Sequence, residues 1–358
     1  MRELPIRVFI ICPCYNEAKY IEKFLQTTLQ QTIFSDHKFH TQLIIIDGAS
    51  SDGTTEILRR HAAAGSIMLL NNPARFVSQG LNTALKLALK QSIDYVIRMD
   101  IHAEYPLEYA HALVQEMDAR RRNGEKLGNI GFAVETLPGD ETEQAYFIAK
   151  ALSSRLGVGT SSFRLGVDSP LYVDTLPFGV FPIEVFRQIG LFDEMLVRNQ
   201  DDEFNARLCK HGYKLLLLSQ LKTKYFARTT LTKVRTMFYQ YGYYKPLVNF
   251  KLGRPASLRQ FFPLVFVIAI IGTIAIAPVT IAPLIFLASA YASICVLFYR
   301  EARPITSRNV SPITASKYFL LSCATLLTIH VSYGMGYLVG GFKLLLGRAH
   351  IGPTKASR

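Results

Sequence analysis

The hydrophobic pattern divides the chain into two unlike parts. In the first, short apolar runs of strand length alternate with polar loops and stretches of helical period. Residues 8–12 form one such run, closed by Pro13, which has no N–H to give a ladder, and followed by Tyr15, Asn16 and Glu17. Ala18, Ile21, Phe24, Leu25 and Leu29 then recur at spacings of three and four, which marks one face of a helix. A second strand at 43–46 ends in Asp47 and a turn rich in Gly and Asp, and a helix is expected from Thr54 or Thr55 to about Ala64. The same order continues with a strand at 67–70, a loop ending in Arg75, a helix at about 77–91 and a strand at 94–99 that stops at Asp100 and His102. Strand, polar loop and helix in repetition predict an α/β fold whose parallel strands are joined by crossover helices.

The second part is apolar. Residues 261–299 and 318–342 contain no Asp, Glu, Lys or Arg, and stretches of that length read as membrane-embedded. The first stretch fits two tightly joined helices with a turn at 277–283. The basic segments that flank these stretches, 300–317 and 348–358, prefer the cytoplasm. A single crossing at 318–342 would export the tail unless residues 334–341 turn the chain back, so two to four membrane helices are expected. Ahead of them, Arg228, Arg235, Tyr243, Tyr244 and Lys245 belong to a basic and aromatic stretch that reads as a pair of helices at the headgroup level. Arg228, Arg235 and Lys245 are also candidates for holding a diphosphate or a phosphate-bearing acceptor.

Charge and cysteine content narrow the setting. The net charge is +13, but no zinc-finger spacing or RNA-binding signature accompanies it, so anionic lipid and anionic substrates are expected as partners, and nucleic acid is not. Five cysteines, two of them inside the apolar stretches, suit a reducing compartment and place the soluble part in the cytoplasm. Residues 1–7 lead into no long apolar run and lack the make-up of a secretory signal peptide.

In an open α/β sheet, ligands bind outside the carboxyl ends of the strands. The polar clusters at Asn16 and Glu17, at Asp47 and Asp52, at Arg75, and at Asp100 and His102 should therefore meet on one edge. Asp100 and His102, one residue apart on extended backbone, put two metal-capable side chains on one side. A strand end meeting solvent reads the same way. Further along, Asp201, Asp202 and Glu203 follow Gln200 just before an apolar helical face carrying Phe204 and Leu208. Acids are favoured at a helix N-terminus by its dipole, and a carboxylate there also suits a general base.

Residues 12–17, 46–54 and 98–102 together resemble the successive motifs of family 2 glycosyltransferases. The form from Asp100 and His102 through Tyr105 and Pro106 is similar to the succinoglycan-type exopolysaccharide transferases of that family. The resemblance spans about residues 6–250. It implies the GT-A fold, a nucleotide-sugar-binding domain with a Rossmann-like mixed sheet and flanking helices, here followed by transmembrane helices. It also implies that Asp47 accepts a hydrogen bond from a uracil-like base. Pro13, Tyr15 and Glu17 then shape the base and ribose pocket, Asp52 and Arg75 belong to the nucleotide site, and Asp100 binds ribose or metal. A divalent ion between the phosphates would be held by Asp100 and His102, and the imidazole, standing where most members carry a second Asp, favours Mn²⁺ over Mg²⁺. Asp201 occupies the place of the general base, with Gln200 in place of the usual Glu beside it. The Gln-x-x-Arg-Trp motif of processive synthases is absent, and the chain has no Trp.

These expectations define a plan: a cytoplasmic catalytic domain at 1–228, interfacial helices at 229–260, membrane segments at 261–346 and a basic tail at 347–358. The implied activity is an inverting transfer from a nucleotide sugar, UDP expected, to a hydroxyl of a polyprenyl-linked saccharide in surface-polysaccharide assembly at the inner membrane. A polyprenyl-phosphate glycosyl synthase and a non-catalytic assembly subunit are the alternatives. Association of copies through the membrane helices is a further expectation.

Overall fold

The structure is a computed structural model in which residues 4–255, 257–303 and 311–348 are described. Most of the tail expected at 347–358 lies outside the described residues. The strands are β1 (Ile6–Cys14), β2 (Phe39–Asp47), β3 (Met68–Asn71), β4 (Tyr95–Arg98), β5 (Ala103–Glu104), β6 (Leu127–Leu137), β7 (Leu171–Val173), β8 (Gly179–Pro182) and β9 (Lys214–Phe226). The helices are α1 (Ile21–Leu29), α2 (Thr54–Ala63), α3 (Val77–Lys90), α4 (Tyr109–Arg122), α5 (Glu143–Leu152), α6 (Arg155–Val158), α7 (Ser162–Leu165), α8 (Ile183–Ile189), α9 (Gln200–Lys210), α10 (Leu231–Leu252), α11 (Phe261–Ile276), α12 (Ala282–Ala302) and α13 (Pro312–Leu345). By contacts the chain forms two compact units, residues 1–135 with 166–225, and residues 136–165 with 226–358.

The first unit is built on the mixed sheet β3-β2-β1-β4-β8-β6-β9-β5, with β7 beside β9. The pairs β3-β2, β2-β1 and β1-β4 are parallel, as the alternating pattern predicts, and β8 turns the sheet antiparallel against β4. Pro13 does not end β1. The Ile11 carbonyl accepts from Met99 N–H, so the backbone of Ile11 and of Pro13 faces β4, and the β1-β4 ladder already stops at the Ile11–Arg98 pair. The missing N–H of Pro13 therefore costs no bond, and the strand runs on to Cys14 along β2.

Alternate side chains fill the two faces of the sheet. Ile10, Ile45 and Ile97 pack with Phe24 and Leu25 of α1 and Leu113 and Met117 of α4 in one buried cluster. Near α8 and α9, Phe204 stacks on Phe186 at 5.1 Å and meets Phe192 at 4.6 Å between ring centres. The buried Asn82 of α3 exchanges hydrogen bonds with both backbone groups of Phe192, which pins the approach to α9. Chain position and packing thus agree on where the first turn of α9 stands.

The second unit is helical and has its own core, in which Phe147 and Ile148 of α5 meet Val234 and Phe238 of α10, Phe298 of α12 and Ile329 of α13. Among the described residues three helices, Leu258–Ile276, Ala282–Ala302 and Pro312–Leu345, are long and apolar enough to cross a membrane. The basic and aromatic stretch is one helix, α10, rather than a pair, and Tyr243, Tyr244 and Lys245 are buried in the unit instead of exposed. Residues 334–341 do not turn the chain back. They lie inside the single helix α13, where Gly336 and Gly340 let its backbone touch that of α10.

Candidate active site

Two loops at the carboxyl ends of β1 and β2 are sewn together by their own polar residues. The N–H of Asn16 donates to Ser50 Oγ at 2.8 Å, and the N–H of Ser51 donates back to Asn16 Oδ1 at 2.8 Å. Asp52 accepts from Ala18 N–H at 3.0 Å and from the Thr54 hydroxyl at 2.6 Å, while Thr54 Oγ1 accepts from Glu17 N–H at 2.9 Å. Burial raises the Asp52 carboxyl, but the Thr54 hydroxyl and the Ala18 and Thr54 N–H groups outweigh it and hold the group below the usual aspartate range. Gly48 donates its N–H to the Cys14 carbonyl at 2.7 Å, and a Cβ there would stand only 3.2 Å from that oxygen and 3.3 Å from the Tyr15 Cβ. Only glycine allows this approach without displacement.

Within these loops Asp47 is buried, its Oδ1 accepting from the Ser50 N–H at 3.2 Å and hydroxyl at 2.7 Å, and its Oδ2 from the Thr55 hydroxyl at 2.6 Å. The carboxylate is fixed in position by three donors. The Arg75 guanidinium lies over the Tyr15 ring at 5.7 Å, which joins the third loop to the first. Asn16, Ala49, Arg75 and Asn199 are the non-glycine residues with positive φ among those described, and all four lie in the loops of this site.

At the end of β4, Arg98 is buried and its Nη2 stands 3.4 Å from Asp100 Oδ1. The Asp100 backbone is clasped by Tyr105, whose hydroxyl accepts from its N–H at 2.7 Å and donates to its carbonyl at 3.2 Å. Burial, reinforced by the charge of Asp100, pushes both the Tyr105 hydroxyl and the Cys12 thiol well up, so both stay protonated beside it. His102 places Nδ1 at 3.2 Å from Glu17 Oε1, and its ring meets Tyr225 edge-on at 5.9 Å.

The acidic cluster stands at the same edge for a topological reason. Gly179, which opens β8, pairs with Arg98, which closes β4, so the loop before β8 lies beside the end of β4. That loop is tied to α9, because the Thr175 hydroxyl donates to Asp202 Oδ1 at 2.8 Å and Asn205 Nδ2 donates to the Leu176 carbonyl at 2.6 Å. Glu203 is committed to Arg207, which also holds the Ile189 and Leu191 carbonyls. Asp201 lies in the first turn of α9, its Oδ1 accepting from Asp202 N–H at 3.0 Å, where the helix dipole favours its negative charge. Gln200 Oε1 is buried with no hydrogen-bond partner among the described residues.

The structure thus places Pro13, Tyr15, Glu17, Asp47, Asp52, Arg75, Asp100, His102 and Asp201 in the first unit, at the ends of β1 and β2, in the loops that follow the strands and in the first turn of α9. Arg228, Arg235 and Lys245 belong to the second, where Arg235 is exposed and Lys245 buried. Sequence reasoning missed Arg98, Ser50, Thr55 and Thr175. A basic residue two positions before Asp100 on the same face of a strand was a signal for the first. Hydroxyls in a turn and a lone Thr before a strand carry none.

A mixed sheet of this order, with its polar loops gathered at the carboxyl ends of parallel strands, is the frame of a GT-A glycosyltransferase, and the chain belongs to glycosyl transferase family 2, whose family model matches residues 9–154. It is similar to the succinoglycan biosynthesis protein ExoA of Rhizobium meliloti, with 30% identity over 278 residues that cover 75% of this chain and 80% of that protein. A second relative is the dolichyl N-acetyl-alpha-D-glucosaminyl phosphate 3-beta-D-2,3-diacetamido-2,3-dideoxy-beta-D-glucuronosyltransferase of Methanococcus voltae, 25% identical over 67% of this chain and 73% of its own length. Among solved structures, a mannosyltransferase from Pyrobaculum calidifontis, in complex with GDP-Man and Mn²⁺, shares the fold at a TM-score of 0.52 and 17% identity, over 92% of this chain and 88% of that one. The protein is a glycosyltransferase related to enzymes of exopolysaccharide and lipid-linked glycan synthesis.

Proposed function

We propose that this enzyme is membrane-attached and inverting, moving a sugar from a UDP donor to a hydroxyl of a polyprenyl-linked saccharide during surface-polysaccharide assembly. What carries the reading is the meeting of Asp47, Asp100 and His102 with the first turn of α9 at one sheet edge. Asp47 already takes three donors, and a carboxylate has about four acceptor positions, so one remains suited to the imide N–H of a uracil. Tyr15, backed by Arg75, offers a ring for the base.

Among the described residues no group of three His, Cys, Asp or Glu is placed to hold a metal ion. Asp100 and His102 supply one oxygen and one nitrogen, which fits an ion that takes its remaining positions from donor phosphates and water. Bound there, a divalent cation would neutralise the charge of the departing diphosphate, and the imidazole favours Mn²⁺ over Mg²⁺. Arg98, buried beside Asp100, sets a positive charge 3.4 Å from that carboxylate and helps to orient it.

Asp201 is the base. Its neighbours Asp202 and Glu203 are held by Thr175 and Arg207, so their carboxylates serve to fix the turn. Asp201 takes the proton of the acceptor hydroxyl as that oxygen bonds to the anomeric carbon, while the bond from the carbon to the diphosphate oxygen breaks on the opposite face. The three apolar helices support an acceptor that stays in the bilayer. The Methanococcus relative, whose name gives a lipid-linked sugar phosphate as its substrate, favours a saccharide acceptor over the bare lipid phosphate. In Asp201→Asn, UDP binding by calorimetry should stay within about twofold of wild type while transfer falls about 10²-fold or more, the scale of a lost general base. Full transfer in that variant refutes the assignment.

A further inference from the structure

We infer that Glu17 is a positioning residue for His102, holding the imidazole in the tautomer and orientation that present Nε2 to a divalent cation. The inference rests on the proposed metal role of His102. Glu17 is 3% exposed, and its Oε1 lies 3.2 Å from His102 Nδ1. Its backbone is fixed on both sides, with the N–H bound to Thr54 Oγ1 and the carbonyl accepting from Tyr20 and Ile21 N–H at the start of α1. The backbone that carries the carboxylate is therefore held in place, and burial limits how far the side chain can move. On the far side, the ring of Tyr225 meets the imidazole edge-on, and Ala103, the next residue, pairs with Tyr225 in the β5-β9 ladder. One contact thus fixes the protonated nitrogen, and the other limits rotation of the ring.

The chemistry explains why such a partner is placed here. An aspartate at position 102 would offer two equivalent oxygens and need no tautomer. An imidazole has one lone pair, in the ring plane, and it is on Nε2 only when Nδ1 carries the proton. A carboxylate accepting Nδ1–H selects that form and raises the basicity of Nε2. Burying a carboxylate is otherwise costly, and the bond to the imidazole offsets part of that cost. Glu17, read from the sequence as part of the base and ribose pocket, is thereby committed to the metal side of the site.

The test uses the full chain in detergent micelles with UDP, and reads free Mn²⁺ by electron paramagnetic resonance. E17Q should weaken Mn²⁺ binding to the UDP-loaded protein by about tenfold or more, the usual effect of losing such a partner, and by a clearly larger factor than any change in UDP affinity without metal. In the H102D background no tautomer has to be selected, and the effect of E17Q should shrink. What is lost there is the attraction of one nearby negative charge for the cation, so E17Q should weaken Mn²⁺ binding by a clearly smaller factor than in the His102 chain. A Mn²⁺ affinity within twofold of wild type, an equal loss of metal-free UDP affinity, or an equal loss of Mn²⁺ affinity in both backgrounds would each overturn the inference. If wild type binds UDP but no Mn²⁺, the metal reading falls, and this inference with it. Should E17Q not fold, the ¹⁵N spectrum of the histidine-labelled wild type decides, with the His102 signals assigned by their absence from H102D. A proton on Nδ1 supports the inference, and a proton on Nε2 alone overturns it.

Discussion

Replacing Gly340 by alanine tests whether α10 and α13 are held in backbone contact. A Cβ at 340 would stand 2.8 Å from the Tyr243 carbonyl carbon and 3.0 Å from its Cα, and nearer still to the oxygen. At Gly336 it would stand 2.9 Å from Tyr243 N and 3.0 Å from the Tyr239 carbonyl carbon. The carbonyl oxygens are the nearest atoms, and a carbon and an oxygen rest at about 3.3–3.6 Å, so the helices must part by about 1 Å or more. Tyr243 and Tyr244, each 3% exposed, move with α10, and overpacking of this kind costs about 1–3 kcal/mol. Both new methyl groups push on the same stretch of α10, so one displacement relieves both. G336A/G340A should therefore cost clearly less than the two single changes summed, by about 0.5 kcal/mol or more. Gly341 is the control, because its nearest atom would be Pro246 Cγ at 3.9 Å. There alanine adds helix propensity of up to about 1 kcal/mol without a clash. Thermal unfolding in micelles, followed by circular dichroism, should place G340A about 2–12 °C below wild type, at roughly 2–4 °C per kcal/mol, and G341A level with or above it. If G340A behaves like G341A, or the double change is additive, the two backbones are not in contact.

Two further outcomes follow from the site. Asp52 sits below the usual aspartate range in the folded chain, so its contribution is complete above about pH 4 and lost as the pH falls from there through the folded value; D52N should flatten that acid limb of stability. An acid limb unchanged in D52N refutes the assigned role. Chelation with EDTA should abolish UDP release from a UDP-sugar in the presence of lipid extract, and Mn²⁺ should restore it at lower concentration than Mg²⁺. Turnover that survives chelation removes the metal from the mechanism.

The parallel half of the sheet was legible because the apolar runs of β1, β2 and β4 are buried on both faces and appear as continuous hydrophobic stretches. The antiparallel half was not. β8 has four residues and β5 two, too few for any periodicity to register, yet β8 is what brings the Thr175 loop beside Asp100. The acids at 201–203 were visible as a cluster, but their division of labour depends on Thr175 and Arg207, which no local pattern ties to them. Pro13 misled in the opposite sense. A missing N–H ends a ladder only where a neighbour is waiting for it, and the length of β4 is not written near residue 13. The stretch around residues 231–252 has an aromatic and basic composition shared by exposed interfacial helices and buried ones. What decides between them is the glycine spacing of α13, some ninety residues further on.

The positive-φ residues connect these levels. A left-handed conformation costs a non-glycine residue about 1–2 kcal/mol, and Asn16, Ala49, Arg75 and Asn199 each adopt it. Asn16 recovers part of that cost through its bonds to Ser50 and Ser51, but Ala49 has no polar side chain with which to do so. Ala49 lies between Gly48, whose backbone presses on Cys14 and Tyr15, and Ser50, which holds Asp47. The turn at 49 is what lets one loop touch its neighbour with residue 48 and return to cap its own carboxylate with residue 50. The strain there belongs to the placement of Asp47 itself, and the same reasoning applies at Asn199, which turns the chain into the helix that presents Asp201.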